Sequence, residues 1–214
     1  MSGGAVGRLP MFPLGAVLFP GAILPLHVFE PRYRQLMTDC LAGDGRFGVV
    51  LISRGSDVGG GDERVSVGTE ASIEKAARFD DGRWAVVARG RRRIAVESWL
   101  PDDPYPVAAV RPLPAPLGEP DPAALGEAAA AVRRARALLS ELGQAPAPGD
   151  PPAAGEPAGD HEAATWQLCD DAPLGPLDRQ RLLEIGDAAE RLAVLTDLVL
   201  GVAQDLHRLL AGPG

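Results

Sequence analysis

Hydrophobic and polar positions in the first half of the chain alternate in short runs, which are separated by glycine, proline and aspartate. A period of two that is broken by turn residues is typical of β-strands in a small antiparallel barrel or sandwich. Asp80, Asp81 and Gly82 predict a hairpin turn, because Asp-Gly tolerates positive φ angles. The pattern predicts eight strands, at residues 16–19, 23–28, 47–53, 64–67, 70–79, 83–89, 92–98 and 107–111.

A change from a period of two to helical spacing marks two helices. Residues 31–41 begin with a proline, which suits the first helical turn. The apolar residues of this segment that fall near one face are Tyr33, Leu36, Met37 and Leu41. After residue 113 the composition shifts to alanine, leucine and arginine. Residues 121–143 predict a second helix, which is capped by Asp121 and ends at Gly143.

A further helical block extends over residues 161–211. Asp187 and Glu190 have the spacing of a capping box, which satisfies free backbone amides at a helix start. The apolar residues that follow recur at spacings of three and four, at Leu192, Leu195, Val199, Val202, Leu206 and Leu209. This is the seam of a helix that packs along a partner. The seam is short, so it favours an intramolecular helix pair over a dimerising coiled coil, and we expect a monomer or a weak homodimer.

The segment at residues 144–160 consists largely of proline, alanine and glycine, a composition that buries too little apolar surface to order itself. We expect a low-complexity mobile loop there. The sequence therefore predicts an α+β protein with a β-barrel subdomain at 8–114, a helix within 115–143, the loop at 144–160 and a C-terminal helical subdomain at 161–211.

Charge and composition narrow the choice of partners. The formal net charge of -8 repels phosphate backbones, so we expect no nucleic acid partner. The first seven residues lack the features of a signal peptide, and no stretch reaches the ~18 apolar residues of a membrane span. We therefore expect a cytoplasmic protein with no membrane partner. Cys40 and Cys169 lie far apart in the sequence and are expected to be reduced and buried.

Candidate catalytic and metal-binding groups are scattered. His27, His161 and His207 lack the spacing of metal ligands. Paired aspartates at 80–81, 102–103 and 170–171 lie beside glycine or proline in predicted turns, where aspartate usually caps backbone amides. The residues thus predict no catalytic site, no metal site and no cofactor.

One run of basic residues, Arg89, Arg91, Arg92 and Arg93, raises the possibility of an RNA surface. Alternation along a strand sends Arg91 and Arg93 to one face and Arg92 to the other, which divides the run. Aromatic residues for base stacking are few. We expect instead ion pairs with acidic neighbours such as Glu70 or Glu97.

Several segments in a fixed order carry a resemblance to a known family. The first half contains LPMFPL at 9–14, LFPG at 18–21 and LPLHVFEPRY at 24–33. Matching segments follow at 47–51, 67–71, 90–94, 104–107, 166–168, 178–184 and 190–192. Together they resemble the N-terminal substrate-binding domain of Lon-type proteases, with Val-Gly-Thr at 67–69 in the place of a turn.

This resemblance implies a PUA-like twisted β-barrel half followed by a helical bundle half. In full-length Lon proteases the domain is followed by an ATPase and a serine-lysine peptidase. This sequence has no Gly-Lys-Ser or Gly-Lys-Thr loop, and its only lysine is Lys75. The resemblance therefore implies a non-catalytic domain that binds unfolded or damaged protein segments, with a protease or a chaperone as a further partner.

The proline-rich opening is the candidate binding region. Apolar residues mixed with proline cannot pair fully in a sheet, so part of this segment should remain as an edge that accepts an extended peptide. The candidate residues are Pro25, Leu26, His27, Phe29, Glu30, Arg32 and Tyr33. In an alternative interpretation, Leu26, Phe29 and Tyr33 fill the barrel while Glu30 and Arg32 stabilise the turn. Two other functions stay open, an RNA-binding or small-molecule-binding PUA-like domain and an uncharacterised hydrolase.

Overall fold

A computed structural model of the protein describes residues 6–54, 63–118, 120–143 and 161–211. The chain divides into two compact units, Met1–Ala115 and Pro116–Gly214. The first contains strands and one helix and the second contains helices, so the predicted α+β class is confirmed. The predicted loop at 144–160 lies outside the described residues.

The first unit contains one sheet and one helix. The strands are β1 (Gly7–Leu14), β2 (Ile23–Val28), β3 (Arg46–Arg54), β4 (Glu63–Arg78), β5 (Trp84–Leu100) and β6 (Val107–Pro112), and the helix is α1 (Pro31–Ala42). The strand order is β2-β5-β4-β3-β1-β6. Because β5 also pairs with β6, hydrogen-bonded pairing returns to β5 after passing through β4, β3, β1 and β6.

The prediction for the first strand was wrong. Residues 16–19 are irregular, although Val17, Leu18 and Phe19 are buried. The strand lies earlier, at β1. Its two prolines, Pro10 and Pro13, made the segment look unlike a strand because proline lacks a backbone N–H. β1 pairs with β6 through Pro10 and with β3 from Met11 onward, so neither proline needs a partner on both sides.

Four predicted strands are two long ones. The segments at 64–67 and 70–79 belong to β4, and those at 83–89 and 92–98 belong to β5. The Val-Gly-Thr segment is therefore part of a strand, and a Cβ on Gly68 would lie 2.3 Å from the Val49 carbonyl oxygen. The hairpin prediction is confirmed, since Gly82 has a φ of 81° and Phe79 N donates to Arg83 O at 2.9 Å.

Helix α1 packs one face against a core formed by residues of the strands. The four buried residues on this face are Tyr33, Leu36, Met37 and Cys40. The expected Leu41 is instead 40% exposed. Cys40 is buried in its place. Two helical turns span about seven residues, so Cys40, seven residues after Tyr33, lies on the same face, whereas Leu41 is rotated away from it. Both cysteines are free and buried, as predicted, and burial raises the pKa of each thiol to about 12.

The second unit contains α2 (Pro122–Glu141), α3 (His161–Asp171), α4 (Pro176–Glu184) and α5 (Ala188–Ala211). Asp121 accepts a hydrogen bond from Ala123 N at 3.1 Å, and Asp187 accepts one from Glu190 N at 2.9 Å. The N-terminal residues of α2 and α5 are thus capped as predicted.

The seam of α5 packs within the chain. Leu192, Leu195, Val199 and Leu206 are buried, and α5 packs along α2, which confirms the predicted intramolecular helix pair. Val202 is only half-buried, and Ala203 is buried in its place. Leu209 is 67% exposed, so the seam ends one step earlier than the sequence pattern. None of the described helices combines the length and the hydropathy that a membrane span requires.

Candidate functional site

Strand β2 forms one end of the strand order. Among the described residues it pairs with β5 only, from Ile23 opposite Arg89 to Val28 opposite Trp84. One long side of β2 therefore has no strand beside it in the described part of the chain. Such an edge presents backbone N–H and C=O groups to solvent.

The phase of the β2–β5 hydrogen bonds identifies which groups these are. Gly90 N donates to Ala22 O at 2.9 Å, one residue before β2 and in the same register. Hydrogen-bonded pairs recur every second residue in antiparallel strands. The even-numbered residues of β2 therefore turn their backbone polar groups to β5, and Ile23, Pro25 and His27 turn theirs to the free edge.

Pro25 is one of the residues whose backbone polar groups face away from β5, which is a position that a proline can occupy. Its missing N–H faces the free edge rather than β5, so no hydrogen bond of the sheet is lost. The edge then offers two donors, the N–H groups of Ile23 and His27, and three acceptors, the C=O groups of Ile23, Pro25 and His27. The side chains of these three residues are exposed, whereas Leu24 and Leu26 are half-buried against the core.

Beside this edge lies a depression across β2, β5 and β4, which we call the outer cleft. It has a volume of about 490 Å³. Its lining residues are mostly small or aliphatic, namely Pro25, Leu26, His27, Lys75, Ala76, Ala77, Ala85, Val86 and Val87. The alanines of β4 and β5 project little from the sheet, and Lys75 is the lysine of the lining.

Strand register aligns the cleft with the free edge. Val87 lies between Pro25 and Lys75, and Ala85 lies between His27 and Ala77. An aromatic pair lies beside His27, Ala85 and Ala77. The rings of His27 and Phe79 stack with centroids 5.8 Å apart. Because Phe79 is 44% exposed, the pair presents an apolar surface beside the edge.

The turn after β2 is held by contacts within the chain. Arg32 Nε donates to Glu30 Oε2 at 3.1 Å, and the Arg32 guanidinium lies 4.5 Å from the Tyr33 ring centroid. Tyr33 is buried and stacks on Phe12 at 4.2 Å. Glu30 and Arg32 thus hold the turn and Tyr33 belongs to the core, which are the placements of the alternative interpretation.

Phe29 lines one cavity together with Glu30 and Tyr33 but is itself exposed. Its side chain is 55% exposed, and the cavity has a volume of about 150 Å³. Leu26 and His27 line both this cavity and the outer cleft. The structure thus brings Pro25, Leu26 and His27 together on the cleft and places Phe29 beside them. A role in peptide binding stays a prediction for all seven residues.

The position of β2 depends on a close crossing at Gly90. A Cβ at this position would lie 2.2 Å from the Phe19 carbonyl oxygen, so only glycine fits. Gly21 N donates to Gly90 O at 2.9 Å, and Thr69 Oγ1 donates to Leu18 O at 2.5 Å. The segment at residues 18–22 is therefore hydrogen-bonded to both β5 and β4.

The arginine run of β5 does not alternate as predicted. A register shift separates Gly90 and Arg92 in their pairing with β4, so Arg91 and Arg92 are both exposed while Arg93 is buried. Arg92 pairs with Glu70 at 3.0 Å, as expected, whereas Arg89 pairs with Glu74 at 2.5 Å. Glu97 pairs with Arg111 instead. Arg89 and Arg92 thus form ion pairs, which is the kind of contact expected for this run.

A second cleft, of about 370 Å³, lies near α1 and β6 and is lined by charged as well as apolar side chains. Tyr105 Oη donates to Asp39 at 2.7 Å, and burial together with this carboxylate raises the pKa of Tyr105 to about 12. Glu70 contacts both Arg46 and Arg92 there. Over the described ranges, no group of three or more His, Cys, Asp or Glu residues could hold a metal ion.

Sequence reasoning missed the β4 and β5 side of the cleft. Ala77, Ala85 and Val87 have no chemical signature in the sequence. The Asp80–Gly82 turn was the available signal, because a hairpin there sets residues 75–78 opposite 84–87.

Comparisons with known proteins agree with the sequence resemblance. The family model of the ATP-dependent protease La (LON) substrate-binding domain matches residues 8–200. The Lon protease of Flavobacterium johnsoniae is 30% identical over 105 residues, 48% of this chain and 13% of that protein. Lon protease 2 of Herpetosiphon aurantiacus is 27% identical over 88% of this chain and 23% of its own length. The chain thus spans less than a quarter of these relatives.

Solved structures match over most of the chain. A Lon N-terminal domain protein from Xanthomonas campestris is 30% identical with a TM-score of 0.64, covering 89% of this chain and 98% of that one. The N-terminal domain of the Mycobacterium avium complex Lon protease has a TM-score of 0.57 at 20% identity, with coverage of 91% and 98%. The latter likeness supports the fold alone.

Proposed function

The chain belongs to the family of ATP-dependent protease La (LON) substrate-binding domains, and from this premise we propose that it binds extended apolar segments of other proteins. The segment would add as a strand beside β2 and place side chains over the outer cleft. The observation that carries this proposal is the outward phase of Ile23, Pro25 and His27, which leaves backbone donors and acceptors at an edge bordered by apolar surface.

Backbone pairing supports recognition without a fixed sequence. Every polypeptide carries N–H and C=O groups, so strand addition supplies affinity that does not depend on particular side chains. Folded proteins engage these groups internally, whereas unfolded or damaged segments leave them available. The edge of β2 therefore favours unfolded segments over native surfaces.

The outer cleft supports a loose preference for apolar side chains. Successive side chains of an added strand would point alternately to the two faces of the sheet. Those on the outer face would lie beside Pro25 and His27 and reach toward Ala85 and Ala77. A shallow surface of small residues accepts side chains of many shapes, because it imposes no narrow pocket.

We also propose the catalytic status, the partners and the location of the protein. The protein acts as a non-catalytic module, and its partners are unfolded or damaged protein segments together with a protease or a chaperone. The match to a family of substrate-binding domains supports the first of these. We also propose a cytoplasmic location, which the two buried free cysteines support.

Fluorescence anisotropy with a labelled peptide tests the proposal. The probe is a capped heptapeptide of alternating valine and threonine, titrated with the full chain. We expect saturable binding to the wild-type protein. Ala77→Arg, which places a long cation in the cleft at an exposed position, should weaken binding by about tenfold, equivalent to about 1.4 kcal/mol.

Leu177→Arg is the matched control, since Leu177 is 69% exposed on α4 in the other unit. This variant should bind the peptide within about twofold of the wild type, because a surface substitution far from the binding groups changes little. No binding to the wild-type chain, or equal loss in both variants, would overturn the proposal.

A further inference from the structure

Pro25 lies at the centre of the free edge, with Ile23 two residues before it and His27 two residues after it. We infer that this proline selects the partner of β2: it admits a strand from a foreign protein and disfavours a second copy of this chain. The inference rests on the proposed function and adds the distinction between these two partners. The two partners differ in the number of hydrogen bonds that each can form with β2.

A foreign strand that runs antiparallel to β2 sets one of its residues opposite Pro25. That residue donates its N–H to the Pro25 carbonyl oxygen, while its own carbonyl meets no donor. Ile23 and His27 each exchange both hydrogen bonds with their partners. Five of the six possible bonds therefore form, and one is lost.

A second copy pairs less well. Two β2 strands related by a two-fold axis overlap most fully when Pro25 lies opposite Pro25 and Ile23 lies opposite His27. The central pair then has two carbonyls and no donor, so two of six bonds are lost. In registers centred on Ile23 or His27, only one outward-facing pair remains within β2.

The difference is large enough to measure. Each net hydrogen bond contributes about 0.5–1.5 kcal/mol, so one missing bond weakens a foreign strand about two- to twelvefold. Two missing bonds weaken self-pairing by about 5- to 150-fold on the same basis. Proline on an edge strand hinders pairing with the edge of another sheet. Because the missing N–H of Pro25 faces away from β5, the β2–β5 hydrogen bonds are kept.

Pro25→Val restores the missing donor while keeping a residue that suits a strand. This variant should bind the valine-threonine heptapeptide about two- to twelvefold more tightly and should self-associate in sedimentation equilibrium at concentrations where the wild type is monomeric. Pro25→Thr provides a second variant with the same restored donor should the first fold poorly, and circular dichroism melting verifies folding of each.

The double variant Pro25→Val/His27→Pro controls for the side chain, because it moves the missing donor to another outward position on the same edge. Its self-association should fall back toward that of the wild type. If Pro25→Val and Pro25→Thr fold but neither self-associate nor bind the peptide more tightly than a wild type that does bind, the inference is overturned while the proposed function stands. If the wild type fails to bind the peptide, the proposed function is overturned, and sedimentation of the two variants still decides the role of Pro25.

Discussion

Gly90 lies where the segment before β2 crosses β5, and an alanine at this position has no room for its Cβ. The added carbon would approach the Phe19 carbonyl oxygen to 2.2 Å, whereas real Cβ atoms keep at least 3.0 Å from such neighbours. The obstructing atoms belong to the backbone, so about 0.8 Å of overlap must be relieved by moving the segment at residues 18–22. Overpacking of this kind costs about 1–3 kcal/mol of unfolding free energy.

Urea unfolding of Gly90→Ala measures this cost. With a slope of about 2 kcal/mol per molar urea, the expected loss lowers the midpoint by about 0.5–1.5 M. Trp84 and Trp99 report unfolding of the first unit by fluorescence, since both lie on β5. Because the shifted segment leads directly into β2, affinity for the heptapeptide should fall as well.

Gly7→Ala is the matched control, because a Cβ at this position on β1 meets no atom within 4 Å. Its midpoint should equal that of the wild type or exceed it slightly, since alanine lowers the conformational entropy of the unfolded chain. An unchanged midpoint for Gly90→Ala would refute the close crossing at Gly90.

Two further predictions concern the candidate residues and the thiols. Phe29→Ala should change the unfolding free energy by less than about 0.5 kcal/mol, because Phe29 is 55% exposed. Leu26→Asp should lower it by about 1–3 kcal/mol, because it brings a charge against the core. Equal urea midpoints for the two variants would contradict these placements. Cys40 and Cys169, with pKa values raised to about 12, should react slowly with Ellman's reagent in native protein at pH 8 and rapidly in urea. In the unfolded chain the thiols ionise near their ordinary pKa of 9.0. The contribution of the two buried thiols to the unfolding free energy is therefore complete below pH 9 and is lost as the pH rises toward 12. Rapid labelling of the native protein, or an unfolding free energy that rises over this range, would refute the burial.

Local patterns predicted the elements that obey local rules. The bounds of β2, the hairpin at Gly82, and the caps at Asp121 and Asp187 depend on a few adjacent residues, and the sequence contains all of them. β1 was missed because its prolines are tolerated only through a change of partner strand, which is a long-range property. The arginine run was misplaced for a similar reason, since the shift near Arg91 exists only in the pairing of β5 with β4.

The candidate site was predictable in part. The prolines indicated an incompletely paired edge, and the family resemblance directed attention to the same segment. The hydrogen-bond phase at Pro25 required the register with β5, which no local pattern specifies. Tyr33 illustrates the limit, because an aromatic residue at the start of a helix suits a binding surface and a core equally well, and here it stacks on Phe12.

Hydrogen exchange of the β2 amides, followed by NMR with and without the valine-threonine heptapeptide, tests the central claim most directly. In the free protein the amides of Leu24, Leu26 and Val28 should be protected by β5, while those of Ile23 and His27 exchange quickly. Saturating peptide should slow exchange at Ile23 and His27. Unchanged rapid exchange at these two amides in a saturated complex would contradict strand addition at β2.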